Sequence, residues 1–203
     1  RVTAEQALAQ AATADAALAR HGATGPLHGV PMTLKDSIDT AGVVTTYGTT
    51  GRVAAVPTED ATVGRRLKKA GAVLLGKTNT PELTLSFETD NDVFGRTMNP
   101  FVSDRSPGGS SGGAAAAVSS GLCAFDIGSD TGGSLRVPSL CCGTVGLKPT
   151  EGRVPRTGHA FSYGGLHDGL TQMGPIARSV DDLELFLRVI AGPDGRDPYI
   201  SAA

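Results

Sequence analysis

Two glycine-serine segments, SPGGSSGG (106–113) and DTGGS (130–134), carry hydroxyl groups on backbone with little side-chain bulk around them. Ser134 follows two glycines just after the apolar stretch CAFDIG (123–128), at what reads as the end of a strand. A serine hydroxyl is a weak nucleophile until a neighbouring group takes its proton. No histidine lies near it. His159 and His167 sit in a glycine-rich stretch with nothing to orient them, and none of the four histidines has a partner at metal-ligand spacing, so no metal site is expected. Lys35 is another kind of base. It closes the short apolar run Val30–Leu34. A lysine there with its head in water would be an ordinary surface residue. Buried, it could be neutral: lowering its usual pKa of about 10.4 by about 3 costs about 4 kcal/mol, within what desolvation supplies.

Two other readings of the glycines fit less well. Glycine loops that open a helix can hold phosphate. Neither segment is followed by the lysine of a G-x-x-x-x-G-K-[ST] loop, and neither forms a G-x-G-x-x-G turn with a downstream acid. The pattern G-x-S-x-G matches around Ser110 and again around Ser111. The hydrolase elbow that it marks must follow a strand. The preceding NPFVSDRSP, with Pro100 and Pro107, is a poor one.

The elements that must carry these residues alternate in type. Residues 3–20 are rich in Ala, Gln, Glu and Leu and predict a helix. Val30–Leu34 reads as a strand. EDATVGRRLKKAG reads as a helix stopped by Gly71, followed by a strand over 72–75. Residues 80–109 have no sustained period and predict a long loop with one short helix. SSGGAAAAVSSGLC suits a closely packed helix, CAFDIGSD a buried strand, and SLRVPSLCCG a brief helix broken near Pro138. SVDDLELFLRVIAG is the clearest helix: Ser179 fits the N-cap, Asp181 and Asp182 the positive end, and Val180, Leu183, Leu187 and Ile190 form the stripe. The alternation predicts an α/β fold with a sheet covered on both faces.

Hydrophobic residues make up 39% of the 203 and charged residues 19%, the balance of a globular domain. A net charge of −2 leaves no basic excess for a nucleic-acid backbone. No apolar run reaches the ~20 residues that cross a bilayer. Cys123, Cys141 and Cys142 show no disulfide or zinc spacing, which predicts small buried hydrophobes and a cytoplasmic home.

Four segments, GVPMTLKDSIDTAG, SPGGSSGGAAAAV, GSDTGGSLRVPS and CGTVGLKPTEGRVP, together resemble the amidase signature family, in that family's order. Ser110 and Ser134 lie 24 positions apart, as the family's bridging serine and nucleophile do. The resemblance runs from about residue 5 to about 198. It implies a mixed central β-sheet flanked by helices on both faces, with Ser134 as nucleophile, Ser110 as a cis-peptide serine that relays the proton, and Lys35 as base. It implies an oxyanion hole from the N–H groups of Thr131, Gly132, Gly133 and Ser134, with Asp130 and Arg136 bracing the loop. Ser111, Thr84, Ser86 and Gln172 are expected at the substrate, with Thr171 and Met173 beside Gln172. No cofactor is implied. Family members are considerably longer, so residues 1–203 are expected to be the N-terminal and core portion of an amidase domain. A homodimer, or a second chain completing the fold, are the partner arrangements considered. The expected reaction is hydrolysis of a small carboxamide. The alternatives are the glutaminase subunit of a tRNA-dependent amidotransferase and a non-catalytic scaffold that keeps the fold.

Overall fold

The structure is a computed structural model that describes residues 1–160 and 169–200. His167 lies outside the described residues. Within them a five-stranded sheet has the order β2-β1-β3-β5-β4. Strands β1 (Pro31–Lys35), β2 (Val73–Thr78) and β3 (Phe125–Asp130) are parallel. β5 (Gln172–Ala177) runs antiparallel to β3, and the short β4 (Val145–Gly146) antiparallel to β5. The sheet is therefore mixed, as the resemblance implied.

Both faces are covered. On one, Met32 and Leu34 of β1, Phe125 and Ile127 of β3 and Met173 of β5 pack with α2 (Thr62–Lys69) and α5 (Val180–Ile190). Phe125 stacks on Phe186 of α5, ring centroids 3.8 Å apart. On the other face, Ala114, Ala115 and Val118 of α3 (Gly112–Ser119) meet Leu135, Ile176 of β5 and Cys142 of α4 (Arg136–Cys142). Small residues let α3 lie close to the strands. Gly128 marks the tightest approach: a Cβ there would stand 2.6 Å from Ser111 Oγ and 2.9 Å from Leu135 Cδ2. That clearance seats the Ser111 segment against β3. The remaining helix, α1 (Ala4–His21), is mostly exposed, with only Ala7 buried.

Several elements differ from the sequence reading. Pro138 does not break α4. It occupies the first turn, where a missing N–H costs nothing. Ser179 caps α5 by accepting from the Asp182 N–H at 3.2 Å, but Val180 is exposed and Phe186 takes its place in the buried stripe. Cys123 and Cys142 are buried, whereas Cys141 is exposed. The sequence pattern marks no element at β4 or β5. Gly174 and Pro175 interrupt the apolar run of β5, yet the strand is buried along its length. Ladder pairing with β3 overrides that local preference.

At the far end of α5, Arg66 of α2 satisfies carbonyls that the helix leaves open. Its guanidinium donates to the oxygens of Ile190 (2.6 Å), Ala191 (2.9 Å), Gly192 (2.9 Å) and Pro193 (2.8 Å). A cation at a helix C-terminus also meets the negative end of its dipole. Arg66→Ala is expected to cost about 2 kcal/mol and lower the thermal midpoint by about 6 °C, read by circular dichroism.

Candidate active site

The C-terminal ends of the parallel strands β1 and β3 bring the hydroxyl-bearing loops to one lysine. Along β1, Met32 and Leu34 face the α2–α5 core, which turns Thr33 and Lys35 to the α3 side by the twofold alternation of a strand. Lys35 is 0% exposed. Its Nζ donates to Ser110 Oγ at 2.7 Å and to Ser129 Oγ at 3.0 Å. Burial pulls its pKa down from the usual 10.5 to about 7, against the opposing pull of Asp126 and Asp130. The amine is thus poised near neutrality by desolvation.

Ser110 precedes α3, and the Gly109–Ser110 peptide bond is cis. The next residue, Ser111, ties this segment to the Ser134 loop. Its N–H donates to Ser134 O (3.2 Å), its Oγ donates to Ser129 O (3.2 Å), and the same Oγ accepts from Ser129 N–H (3.4 Å). Ser111 is expected at the substrate from sequence. Its hydroxyl is instead spent on backbone, where it clamps two loops.

Asp130 shapes the turn that presents Ser134. Its Oδ1 accepts from Gly133 N–H at 2.8 Å and its Oδ2 from Leu135 N–H at 3.0 Å, and Arg136 grips both oxygens at 2.9 and 3.0 Å. Burial pushes the Asp130 carboxyl up, but Arg136 and these two N–H groups outweigh it and hold it below the usual carboxylate range. Gly133, at φ 135°, takes a conformation that side chains avoid. Its N–H points at Asp130, which removes it from the four expected oxyanion donors. Among the described residues, loop and cap hydrogen bonds engage none of the N–H groups of Thr131, Gly132 and Ser134. Ser134 itself is 9% exposed, nearer solvent than Lys35. Its hydroxyl makes no hydrogen bond among the described residues; the structure joins Lys35 to Ser110 directly and ties Ser134 to the Ser110 segment through its carbonyl, which accepts from Ser111 N–H.

The other sequence candidates fall further out. Gln172 opens β5 opposite Asp130; its Nε2 donates to Gly169 O at 3.2 Å, while its buried Oε1 has no partner among the described residues. Thr171 and Thr131 share a hydroxyl hydrogen bond of 2.7 Å. Met173 belongs to the core below the sheet rather than to the site. Thr84 and Ser86 lie in a surface turn, with Ser86 Oγ taken by Glu88 N–H at 3.0 Å. Neither is joined by a hydrogen bond to Lys35, Ser110 or Ser134 among the described residues. The loop still approaches the site through its backbone: Ser86 O and Phe87 C stand within 2.9 Å of where a side chain on Gly109 would be.

Sequence reasoning missed three buried polar residues. Ser129 is the second hydroxyl on Lys35, although its pairing with Met173 on β5 gives it, by alternation, the opposite face of the sheet, so periodicity alone does not find it. Asp126 lies on β3 opposite Thr33. Lys77 of β2 pairs with Leu34 and so faces away from Lys35. It donates to Ile38 O and, at 2.9 Å, to Thr40 Oγ1, and burial lowers its pKa to about 8.

An α/β sheet thus holds a buried, hydroxyl-bound lysine at its strand ends, near the loop that carries Ser134 behind two glycines. The chain belongs to the amidase family, whose model, described as Amidase, matches residues 1–203. It is 53% identical over 196 residues to a glutamyl-tRNA(Gln) amidotransferase subunit of Moorella thermoacetica, covering 96% of this chain and 39% of that protein. Among solved structures it resembles a peptide amidase from Stenotrophomonas maltophilia (TM-score 0.89, 40% identity, 96% of this chain and 40% of that one). It also resembles the corresponding glutamyl-tRNA(Gln) amidotransferase subunit from Thermotoga maritima (TM-score 0.84, 34% identity, 99% of this chain and 47% of that one). The chain spans about 39% of the length of the curated relatives that it matches. Among the described residues no helix is long and apolar enough to cross a membrane.

Proposed function

We propose that the protein hydrolyses a carboxamide C–N bond through an acyl-enzyme on Ser134, with Lys35 as base acting through Ser110. The observation that carries this reading is the wholly buried Lys35 amine, brought to about 7 by desolvation and held 2.7 Å from Ser110. Ser134 Oγ attacks the amide carbon while its proton passes to Ser110 Oγ and the Ser110 proton to neutral Lys35. The tetrahedral oxyanion is met by the N–H groups of Thr131, Gly132 and Ser134. As it collapses, the C–N bond breaks and Lys35 returns a proton through Ser110 to the departing amine. Water then attacks the ester by the same relay, releasing a carboxylic acid and restoring Ser134. Hydrogen bonds of this kind are often long or unformed in a free enzyme and tighten around substrate, which accommodates the open Ser110–Ser134 link. Thr84, Ser86 and Gln172 are assigned to the rim of the substrate site. No cofactor enters the reaction.

A second reading is favoured by the relatives named as amidotransferase subunits: the amide would be glutamine, and the ammonia released would serve a partner protein. Under either reading residues 1–203 are the N-terminal and core portion of an amidase domain, with further sequence or a second chain walling the cleft, and the three unpaired thiols suit a cytoplasmic setting.

Incubation of the intact protein with an alkyl fluorophosphonate, followed by peptide mass spectrometry, tests the nucleophile. Labelling confined to Ser134 is expected. A folded protein that takes no label would overturn the reading in favour of a scaffold. Glutamine hydrolysis raised many-fold by partner subunits and charged tRNA would select the amidotransferase reading.

A further inference from the structure

Asp126 has no part in the relay, yet it is a fully buried carboxyl on the same side of the sheet as Lys35. On β3 it stands opposite Thr33, which precedes Lys35 by two positions and therefore shares its face. Thr33 Oγ1 donates to Asp126 Oδ2 at 2.6 Å. Thr78 Oγ1, from the residue paired with Lys35 on β2, donates to the same oxygen at 2.9 Å. Two strands thus spend a hydroxyl each on one carboxylate oxygen. The other oxygen, Oδ1, is buried without a partner. A buried carboxyl with half its acceptors empty is costly to keep, and a neutral side chain would fill the space more cheaply. No ion pair offsets that cost: Asp126 makes no salt bridge among the described residues.

Resting on the reading of Lys35 as base, we propose that Asp126 is a positioning residue: a fixed negative charge, held by Thr33 and Thr78, that steadies the Lys35 ammonium when the proton arrives through Ser110. The surroundings leave few rivals for that task. The α3 segment facing Lys35, GGAAAAVS, has no ionisable side chain. Asp130, on the same strand, is already held by Arg136. Lys77 faces the other side of the sheet. Cys123, bonded to Thr33 at 3.2 Å, has its thiol pushed up to about 11 by burial and stays neutral. Among the charges acting on Lys35, Asp126 pulls hardest toward the ammonium form, while burial raises its own pKa to about 6.

The test follows the rate of fluorophosphonate labelling of Ser134 against pH in the intact protein, a probe that needs no knowledge of the amide. In the natural protein the rate is expected to rise with a midpoint near 7. Asp126→Asn removes the charge, favours neutral Lys35, and should move that midpoint down by about 1 to 2 pH units. The plateau should fall several-fold, because a less basic amine is a weaker acceptor. A merely structural role would change the yield or the thermal midpoint but not the position of the limb. Should Asp126→Asn not fold, Thr78→Val weakens the same carboxylate and should shift the midpoint in the same direction by less. An unmoved midpoint in the folded variant overturns the proposal. Lys35→Ala run in parallel separates the two ideas. If its limb vanishes while the Asp126→Asn limb stays in place, Asp126 alone is misassigned. If the limb survives in Lys35→Ala, the base itself is misassigned and the proposal falls with it.

Discussion

Ser134→Ala is expected to lower turnover of the intact protein by about 10⁶-fold while leaving its thermal midpoint almost unchanged. The first half follows from the chemistry. Without Oγ there is no acyl-enzyme, and Lys35 and Ser110 have nothing to deprotonate. The second half follows from the packing. Ser134 Oγ makes no hydrogen bond among the described residues, so its loss leaves no stranded donor or acceptor. The turn is held instead by Asp130 through Gly133, Leu135 and Arg136, none of which the substitution touches. Turnover and a melting curve measured on one preparation decide it. Residual activity within about 10-fold of the natural protein would mean that another group makes the attack.

Lys35→Ala should reduce the rate at pH 7 by about 10³-fold, within the range that a positioned base supplies. The expected pattern across pH is more telling than the size. The natural protein loses activity as pH falls through about 7, where the amine takes up a proton. The variant has no such group, so its acid limb should vanish and its small rate should climb steadily with hydroxide. Lys35→Met preserves most of the buried volume and should match the alanine variant in rate while melting higher, which separates loss of the base from the cavity that alanine leaves. A pH–rate profile unchanged by either substitution would remove Lys35 from the relay.

How much of this is legible in the chain differs by residue type. Lys35 can be picked out because a lysine that closes an apolar run must either reach water or surrender its charge. The two glycine-serine segments stand out because their spacing and order are shared with a family. The α3–α4 side of the sheet is legible as small-residue helix and strand. What the residues do not disclose depends on contacts across the fold. Gly133 looks from sequence like a free donor, and only the position of Asp130 shows its N–H already taken. Ser111 is expected at the substrate, and only the closeness of β3 at Gly128 explains why its hydroxyl turns to backbone. β5 carries Gly174 and Pro175, so local propensity argues against a strand that long-range pairing enforces. Asp126 escapes notice because a single acid inside an apolar strand gives no hint of whether it meets water, a partner or a neighbouring lysine.

The two buried lysines also set the proton balance of the fold. Lys35 and Lys77 sit at about 7 and about 8 when folded, against an ordinary 10.5 once the chain is loosened. Unfolding in mild alkali therefore draws protons from the buffer, and stability climbs with pH from about 7 to about 9, where the loosened chain binds more protons than the native one; above that, the buried Cys123 and Cys142 thiols, pushed up to about 11 from an ordinary 9.0, offset the gain. The desolvation that readies Lys35 as a base near neutrality is thus withheld from the fold's own stability, and raising the pH returns it.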